Sequence, residues 1–435
     1  MSEINIKRQI KASPTKEFFV YMITKDIDTI DAIIDVADNS IDGARRLRGE
    51  NNLGGLYIHI QVDEDYFRIS DNCGGIPIEI ARNYAFLFGR SKESQGTPKS
   101  IGNFGVGMKR ALFKLGNFFE IESISTNSRF KIKQDILEWL TKPEWEFQFE
   151  EEGYGENIAD IPIEQTGTTI VVKELKNGIK ADFALSEFRR RLQLELESKH
   201  QHFLERGIEI KINEVNLVAS KPKLLNSAKI QPAYKTFCEK NDRVLVRLYA
   251  GIGDRDPSKA GWNIYCNGRL ILEANTTPIV GWNRVFSNEH AWFRGYVFFD
   301  SDDTSLLPWN TTKTSVDLDL PLYKSVQLKM EEMAKPVFTF MNKVADEKKD
   351  KDSDEITSLE KAIREAELIT LNNIVTNQEF NAPTPTIRSN LVSISYKRPK
   401  EEVELLKAAL GLGKNNAELG RRTFDYVFRR ECEDD

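Results

Sequence analysis

The chain has 435 residues, of which 40% are hydrophobic, and it carries a formal net charge of −6 at pH 7. Its length predicts about two to three domains, and its hydrophobic content excludes an intrinsically disordered chain. The acidic balance excludes a protein that is basic over its whole surface, so any surface that attracts nucleic acid has to be local.

The cysteines, the histidines and the first residues indicate the compartment. The four cysteines are widely scattered without a C-x-x-C pair, and the four histidines form no ligand set with them. This pattern is typical of reduced thiols in a cytosolic protein, not of a disulfide framework or a zinc site. The start, MSEINIKRQI, lacks the apolar core of an export signal, and no apolar run is long enough to span a membrane. We therefore expect a cytoplasmic protein without a membrane partner.

The first predicted element in chain order is an amphipathic helix around residues 30–42. Its apolar residues recur at helical spacing, and its other face carries Asp31, Asp35, Asn39 and Asp42. Steps of three and four place these side chains on one side of the helix. The row is either a solvated acidic face or a Mg²⁺ site, because an amide oxygen among carboxylates is a hard-oxygen environment.

A strand over residues 66–70 follows and runs into the turn DNCGG. Asp71 ends this strand, where a rigidly held carboxylate can accept a hydrogen bond from the exocyclic amino group of adenine. Gly74 and Gly75 allow a ligand ring to approach the backbone closely, although an ordinary turn explains the same residues equally well. Further along, Thr168 begins a β-rich run, where its hydroxyl could complete a water-bridged contact to the same base.

The stretch IGNFGVGMKRA contains three glycines within six residues: Gly102, Gly105 and Gly107. Their order, G-x-x-G-x-G, is the reverse of the dinucleotide-binding turn. Met108 displaces Lys109 by one position from the place of a P-loop lysine, and Arg110 then stands where the Mg²⁺-binding hydroxyl would be. Two interpretations are left at this point: an ordinary glycine-rich turn before a helix, or a different kind of phosphate-binding loop.

Four segments read in order, DVADNSIDGA, DNCGGIP, IGNFGVGMKRA and GTTI, resemble the four nucleotide-binding motifs of the GHKL superfamily. That superfamily comprises gyrase, the heat-shock chaperones, the histidine kinases and MutL. The third motif is closest to the chaperone and MORC-type branches, and FGRSKESQGTPKS before it resembles their mobile ATP lid. The resemblance implies an α/β fold, an α+β sandwich of the Bergerat type, with ATP and Mg²⁺ as cofactors. It also implies that the glycine-rich loop is the hinge of a lid that closes over the triphosphate.

The resemblance implies a role for each matching residue. Asp35 occupies the position of the family's glutamate general base, and Asn39 that of its Mg²⁺ ligand. Asp71 would read adenine, with Thr168 supporting that contact through water. The other expected ATP-binding residues are Gly75, Ser91, Lys92, Gly102, Gly105, Val106, Gly107, Met108 and Lys109. Aspartate is one methylene shorter than glutamate, and a base must come within about 3 Å of the attacking water, so hydrolysis is slow unless the backbone compensates.

A second part of the chain carries two more resemblances. WNIYCNGRLIL is similar to the N-G-R strand in the transducer domain of the MutL branch, a domain of the ribosomal-protein-S5-like type. LPWNTTKTSVD places Lys313 where gyrase-, MutL- and MORC-type proteins present a lysine to the terminal phosphate. That lysine would neutralise charge developing on the γ-phosphoryl group. The alternative is a solvated loop lysine. A lysine from a second domain argues against a histidine kinase.

The predicted domains are an ATP-binding domain over residues 1–225 with a lid at about 88–109, a transducer domain over 226–345, a charged linker with a short helix over 346–387, and a strand–helix–helix module over 388–435. Pro336 is expected to kink or divide the helix that begins near Leu322. The run DEKKDKDSDE predicts an exposed boundary.

The last module begins with LVSISYKRP, which alternates as a half-buried strand does, and continues with two amphipathic helices. It resembles a ribbon-helix-helix module, which is too small to bury its own core and pairs its strand with a second copy. The outward side chains would be Ser393, Ser395 and Lys397, which in DNA-binding relatives enter the major groove. Residues 388–430 hold ten Lys/Arg against five Asp/Glu, a local charge of +5 that favours an anionic partner. The alternative is a tail used only for dimerisation or for docking a partner protein.

We therefore expect a Mg²⁺-dependent ATPase that acts as an ATP-gated homodimeric clamp, with DNA as the candidate that it encloses. The alternative is a nucleotide-gated scaffold or regulatory protein with little intrinsic ATPase activity. A chaperone would need a client-binding domain, for which the short C-terminal region offers little room. ATP turnover separates an ATPase from a switch, and salt-sensitive DNA binding separates a DNA clamp from a protein scaffold.

Overall fold

The computed structural model describes residues 10, 13–89, 98–102, 105–349, 356–385, 394–413 and 415–432. The protein has a mixed α/β fold, and its chain divides into two compact units at Pro385. The predicted α/β class is confirmed. None of the helices in the described part of the chain is both long enough and apolar enough to cross a membrane.

The first sheet of the first unit has seven strands in the order β4-β3-β5-β2-β1-β6-β7. They are β1 (Tyr57–Val62), β2 (Phe67–Asp71), β3 (Gly116–Ile124), β4 (Arg129–Asp135), β5 (Gly167–Leu175), β6 (Glu209–Ile212) and β7 (Val215–Asn216). Neighbouring strands are antiparallel except β1 and β6, which are parallel. The alternation predicted for a strand with one buried face is visible in β1, where Ile58, Ile60 and Val62 are buried.

Seven α-helices lie in the described residues between positions 29 and 204, and the first and third of them contribute side chains to the candidate site. They are α1 (Thr29–Arg48), α2 (Ile78–Ile80), α3 (Gly107–Leu115), α4 (Ile136–Thr141), α5 (Asn177–Ala184), α6 (Ser186–Lys199) and α7 (Gln201–Leu204). Helix α1 begins where the Asp28 carboxylate accepts a hydrogen bond from the Asp31 amide, and it ends at Gly49, whose φ is 72°. Its apolar stripe is buried as predicted, and α1 packs directly against α3.

A second sheet lies in the region predicted as the transducer domain. Its strands are β9 (Ala233–Glu239), β10 (Val244–Ile252), β11 (Gly261–Cys266), β12 (Arg269–Asn275) and β13 (Phe293–Asp300), in the order β12-β11-β13-β10-β9. Helix α8 (Pro321–Lys349) packs against β10 and β13. It runs through Pro336 without a break, so the predicted division is wrong. Buried side chains on both sides of the proline, Met333 and Val337 among them, hold the helix in place.

The segment predicted as a linker is partly incorporated into the first unit. Helix α9 (Ser358–Glu365) begins with a capping box between Thr357 and Glu360, and β14 (Glu367–Thr370) pairs with β8 (Lys223–Asn226). Main-chain bridges also join Gln378 to Tyr234. The linker interpretation is therefore wrong for the described residues 356–385. Strand β14 pairs with β8, which lies more than a hundred residues earlier in the chain, and amino-acid composition cannot predict such a pairing.

The second unit contains α10 (Lys400–Ala409) and α11 (Asn416–Cys432). The predicted break between the two helices is confirmed, with Gly411 at a φ of 65°. Residues 394–399 form no strand in this single chain, although a strand is predicted there. A strand needs a neighbour to satisfy its backbone donors and acceptors, and within the described part of the second unit nothing supplies one. Ile394 and Tyr396, predicted to face a core, are exposed.

Candidate functional site

An open cavity of about 390 Å³, including its mouth, lies between α1, the ends of β2 and β5, and the start of α3. Apolar side chains form its walls: Val36, Ile69, Ile76, Met108 and Ile170. Polar side chains occur at a few points on the lining: Asn39, Ser40, Arg46, Asp71 and Thr168. A mostly apolar slot with few convergent polar groups is the usual form of a small-molecule site.

Asp71 is the most firmly held polar group of this cavity. Its Oδ2 accepts a hydrogen bond of 2.6 Å from the Ser40 hydroxyl, and its Oδ1 accepts from the amides of Cys73 and Thr168 at 2.9 and 3.2 Å. Burial raises the pKa of Asp71, although these three donors act in the opposite direction. Thr168 Oγ1 in turn lies 3.0 Å from the Ser123 hydroxyl. The predicted pair, Asp71 and Thr168, is therefore brought together at one end of the slot.

Glycines allow the strand ends to meet beside Asp71. Gly75 has a φ of 64°, and a Cβ on it would lie 2.1 Å from the Ile124 carbonyl oxygen. A Cβ on Gly167 would lie 1.9 Å from the Asp71 carbonyl oxygen. Neither position can hold a side chain without displacing backbone. Glycine is thus required at position 75 because the chain packs closely on itself there. This reason adds to the predicted one, the close approach of a ligand ring.

The glycine-rich loop is anchored at one end by Asp42. The carboxylate of Asp42 accepts hydrogen bonds from the amides of Ile101 and Gly102, at 2.7 and 2.8 Å. At the other end Gly105 has a φ of 66°, and α3 begins at Gly107 without a side-chain cap on its first amides. An uncapped helix start presents free N–H donors and the positive end of the helix dipole. The described part of the loop therefore suits an anion.

Asn39 lies at the mouth of the cavity beside this loop. Its Nδ2 donates to the main-chain oxygen of Asp35 at 2.9 Å, and its Oδ1 is directed towards Gly102, on which a Cβ would lie 3.5 Å away. Among the residues that the structure describes, none donates a hydrogen bond to this amide oxygen beside the loop. Within the described ranges no group of three His, Cys, Asp or Glu side chains is arranged to hold a metal ion. A cation here would therefore depend on Asn39, on water and on the ligand itself, which is how Mg²⁺ is commonly bound.

A buried cluster of charges adjoins the start of α3. Asp35 is 4% exposed; its Oδ2 accepts from Arg110 Nη2 at 2.7 Å and its Oδ1 from Lys313 Nζ at 2.9 Å. A Cβ on Gly107 would lie 3.2 Å from Asp35 Oδ2, so this carboxylate contacts the first turn of α3 directly. The structure thus brings together Asp35 and Lys313, the two residues predicted to be catalytic, although 278 positions separate them.

Asp38 forms the second half of the cluster and is fully buried. Its Oδ2 accepts from Lys313 Nζ at 2.7 Å, while its Oδ1 accepts from His200 Nε2 at 2.8 Å and from Arg269 Nε at 3.1 Å. Asp38 therefore links α1 to the N-G-R turn of the second sheet and to the Lys313 loop. It is absent from the lining of the cavity but shares Lys313 with Asp35.

The protonation states follow from burial and from the partners. Burial alone would raise the pKa of Asp38, but Lys313, Arg269 and the His200 hydrogen bond hold it well below 3.8. Burial would lower the pKa of Lys313, but Asp35 and Asp38 raise it above 10.5. Burial lowers the pKa of His200 despite its hydrogen bond to Asp38, so the ring is neutral and its Nε2–H donates. Two carboxylates therefore face three cations, an excess of one positive charge.

Lys109 does not lie with the other predicted ligands. Its side chain is buried, its Nζ donates to the Ala85 carbonyl oxygen at 2.8 Å, and it stands 6.0 Å from the centre of the Phe88 ring. Burial lowers the pKa of Lys109 to about 7. Its phosphate contact stays a prediction, because the ammonium group would have to leave the carbonyl of Ala85 to make it. Ser91 and Lys92, in the predicted lid, lie outside the described residues.

The predicted DNA-contacting residues lie in the second unit. Ser393 falls outside the described residues, and Ser395 and Lys397 are exposed in an irregular stretch. Their contact with DNA stays a prediction. The apolar faces of α10 and α11 leave large side chains open to solvent, among them Leu405, Phe424 and Val427.

Sequence reasoning missed most of the buried cluster. The sequence assigns no role to Asp38, Arg110, His200 or Arg269. The available signal for Asp38 was its spacing of three from Asp35, which places two carboxylates near one another on a helix. No local signal marks His200. Ser40 and Ser123, which support Asp71 and Thr168, were missed as well.

Comparison with known families agrees with this site. Residues 27–168 match the family described as histidine kinase-, DNA gyrase B-, and HSP90-like ATPase. The match covers α1, the cavity, the anchored glycine-rich loop and the start of β5. No curated protein is significantly similar to the chain.

Proposed function

Because residues 27–168 match the histidine kinase-, DNA gyrase B- and HSP90-like ATPase family, we propose that this protein acts in the cytoplasm, where it binds ATP with Mg²⁺ and hydrolyses it to ADP and phosphate. The observation that carries the proposal is the contact of Asp35 with both Lys313 and the first turn of α3. It joins a candidate base, a cation and an anion-binding helix start at one point.

The adenine ring would occupy the apolar slot. Asp71 would accept a hydrogen bond from the exocyclic amino group, since the carboxylate is already oriented by Ser40 and two backbone amides. Thr168 would support the same edge of the ring through water. The van der Waals walls of Val36, Met108 and the neighbouring aliphatic side chains would exclude solvent from both faces.

The phosphates would lie at the start of α3. The free amides of Gly107 and Met108 and the dipole of the helix favour an anion there, and Gly105, with its positive φ, sets the turn that exposes them. Asn39 Oδ1 would hold the metal ion beside the same loop. When bound, Mg²⁺ would supply the charge neutralisation that brings the phosphate oxygens close to these groups.

Hydrolysis would require Asp35 to be released from one of its partners. Each of its carboxylate oxygens already accepts a hydrogen bond from a cation, one from Arg110 and one from Lys313, so an attacking water would compete with a cation at either oxygen. A terminal phosphate near the first turn of α3 would compete for the Lys313 ammonium. Once Lys313 turns to the phosphate, Asp35 Oδ1 is free to act as general base, while Arg110 keeps the carboxylate oriented. The direct approach of Asp35 to Gly107 would compensate for its short side chain.

We propose further that the protein works as an ATP-gated homodimeric clamp, with DNA as the enclosed partner. The solvent-exposed apolar side chains of α10 and α11 support self-association, since such faces usually pack against something. The local charge of +5 over residues 388–430 supports an anionic partner. The alternative, a nucleotide-gated scaffold, is favoured by the closed state of Asp35, whose two oxygens are both paired.

Steady-state turnover tests the proposal, with ATP binding measured in parallel. We expect the wild type to hydrolyse ATP, while Asp35→Asn and Lys313→Ala bind ATP and lose turnover by about 10²–10³-fold. Lys259→Ala, at an exposed lysine whose ammonium lies 3.7 Å from Asp256, serves as the control and should behave as the wild type. Binding without turnover in the wild type would favour the scaffold. Absence of ATP binding would refute both.

The clamp is tested separately by DNA binding with and without a non-hydrolysable ATP analogue. A dimeric clamp predicts that affinity for DNA falls steeply with salt and that the analogue changes the lifetime of the complex. Equal, weak binding in both states would leave a protein partner as the better candidate.

A further inference from the structure

A second cavity lies within the first unit, where the end of the ATPase-like part meets the second sheet. It measures about 1120 Å³ including its solvent-filled opening, and we call it the junction cavity. Its walls come from the α7 region, from the segment before β8, and from β10 and β13. They include Gln201, His202, Arg206, Lys221, Arg247 and Phe298. None of its lining residues belongs to the Asp71 cavity.

The cations of the junction cavity are incompletely neutralised. Among the described residues, Arg206 Nη1 donates to two neutral acceptors. These are the main-chain oxygen of Glu50 at 3.0 Å and the side-chain Oδ1 of Asn51 at 3.3 Å. Lys221 is exposed and has no carboxylate partner among the described residues. Glu205 is the one carboxylate on the described lining, and its Oε1 accepts from Gln201 at 3.1 Å.

Arg247 adds a third cation with spare donor capacity. Its Nη2 pairs with Asp300 at 2.7 Å, and its guanidinium lies 5.1 Å from the centre of the Phe298 ring. Its Nε is buried and has no hydrogen-bond partner in the described part of the chain. A buried N–H without an acceptor is unfavourable, and an anion in the cavity would relieve it.

The His202 ring lines the junction cavity and lies in a positively charged environment. Burial, and to a smaller extent the charges of Arg206, Arg45 and Arg247, together lower its pKa to about 3. The ring packs closely on Gly268, where a Cβ would lie 2.5 Å from His202 Cδ2. Gly268 precedes Arg269, the residue that bonds Asp38 in the buried cluster. The junction cavity is therefore in contact with the turn that holds the candidate site.

We infer that the junction cavity binds a small phosphorylated anion through Arg206, Lys221 and Arg247. Three cations from three separate chain segments line the cavity with one lining carboxylate, Glu205, and of the three only Arg247 is paired with a carboxylate, Asp300, among the described residues. Several convergent donors match the several oxygens of a phosphate group better than the two of a carboxylate. The site is distinct from that of the proposed ATPase reaction and does not depend on it.

Inorganic pyrophosphate is the probe, titrated by calorimetry into the full chain with and without a saturating non-hydrolysable ATP analogue. The wild type should bind pyrophosphate in both conditions, because the analogue fills only the Asp71 cavity. Lys221→Glu should weaken this binding at least tenfold. Lys259→Glu, the same change at another exposed lysine, should leave it unchanged.

Two results would overturn the inference. One is loss of pyrophosphate binding when the analogue is present, which would assign all binding to the α3 helix start. The other is equal affinity in Lys221→Glu and Lys259→Glu. If the protein does not bind the ATP analogue at all, the proposed function fails, but the pyrophosphate affinities of the two variants still test the junction cavity. Failure of the proposed function and failure of this inference are therefore distinguishable.

Discussion

Replacement of Asp38 by asparagine should destabilise the protein strongly, although Asp38 lies outside the cavity. The change preserves shape but removes a fully buried negative charge that accepts from Lys313, His200 and Arg269. An amide has one oxygen to accept with, so at least one of the three donors loses its partner. Breaking a buried ion pair costs about 3–5 kcal/mol. We expect about 3 kcal/mol, since Lys313 keeps Asp35 as a second partner.

The assay is thermal and denaturant unfolding followed by circular dichroism. A loss of about 3 kcal/mol corresponds to a fall in Tm of about 3 °C for a protein of this size. Asp319→Asn is the matched control. The Asp319 carboxylate is fully exposed and lies 3.7 Å from Lys324, so this weak surface ion pair contributes little and its loss should have no measurable effect on the Tm. A Tm for Asp38→Asn within about 1 °C of the control, which corresponds to a loss of only about 1 kcal/mol in a chain of this length, would refute the buried cluster.

The pH dependence gives a second test of the same residue. The folded pKa of Asp38 lies below its ordinary value of 3.8, so its contribution to stability is complete above pH 3.8 and is lost as the pH falls through the folded pKa. The difference between the wild type and Asp38→Asn should therefore be constant from about pH 6 to 8. A difference that grows or shrinks across that range would show that another group titrates in the cluster.

Three further changes test other parts of the site. Asp71→Asn should weaken ATP binding about 10–100-fold without a loss of folding, because the adenine amino group loses a charged acceptor; equilibrium binding checks this. Lys109→Met should stabilise the protein by up to about 5 kcal/mol near pH 7. The lysine pKa falls from 10.5 to about 7 on folding. Its stability contribution is therefore present above pH 10.5 and lost as the pH falls through 7, so the advantage of the variant should shrink towards pH 10 in unfolding curves. Gly167→Ala should lower the Tm by several degrees and abolish nucleotide binding together, because its Cβ would lie 1.9 Å from the Asp71 carbonyl oxygen; wild-type Tm and affinity would contradict the close packing.

The sequence by itself determined the local parts of the nucleotide site. The burial of one face of α1, the position of Asp71 at the end of β2 and the glycine-rich entry to α3 were all predicted, and all are present. These features depend on residues within a few positions of each other, whose spacing fixes which side chains share a face and whose glycines permit the turn. The order of four such segments was also enough to predict the family that residues 27–168 match.

Only the tertiary structure decided which charges meet. Lys313 reaches Asp35 and Asp38 across 278 and 275 positions, and Arg269 reaches Asp38 across 231. The pairing of β14 with β8 is likewise a contact between segments that are distant in the sequence. Spacing along the chain carries no information about such contacts, because a buried carboxylate selects its partner by proximity in the folded state and by the cost of leaving a charge unpaired. The sequence could name Asp35 and Lys313 as separate candidates, but only the fold shows that they contact each other.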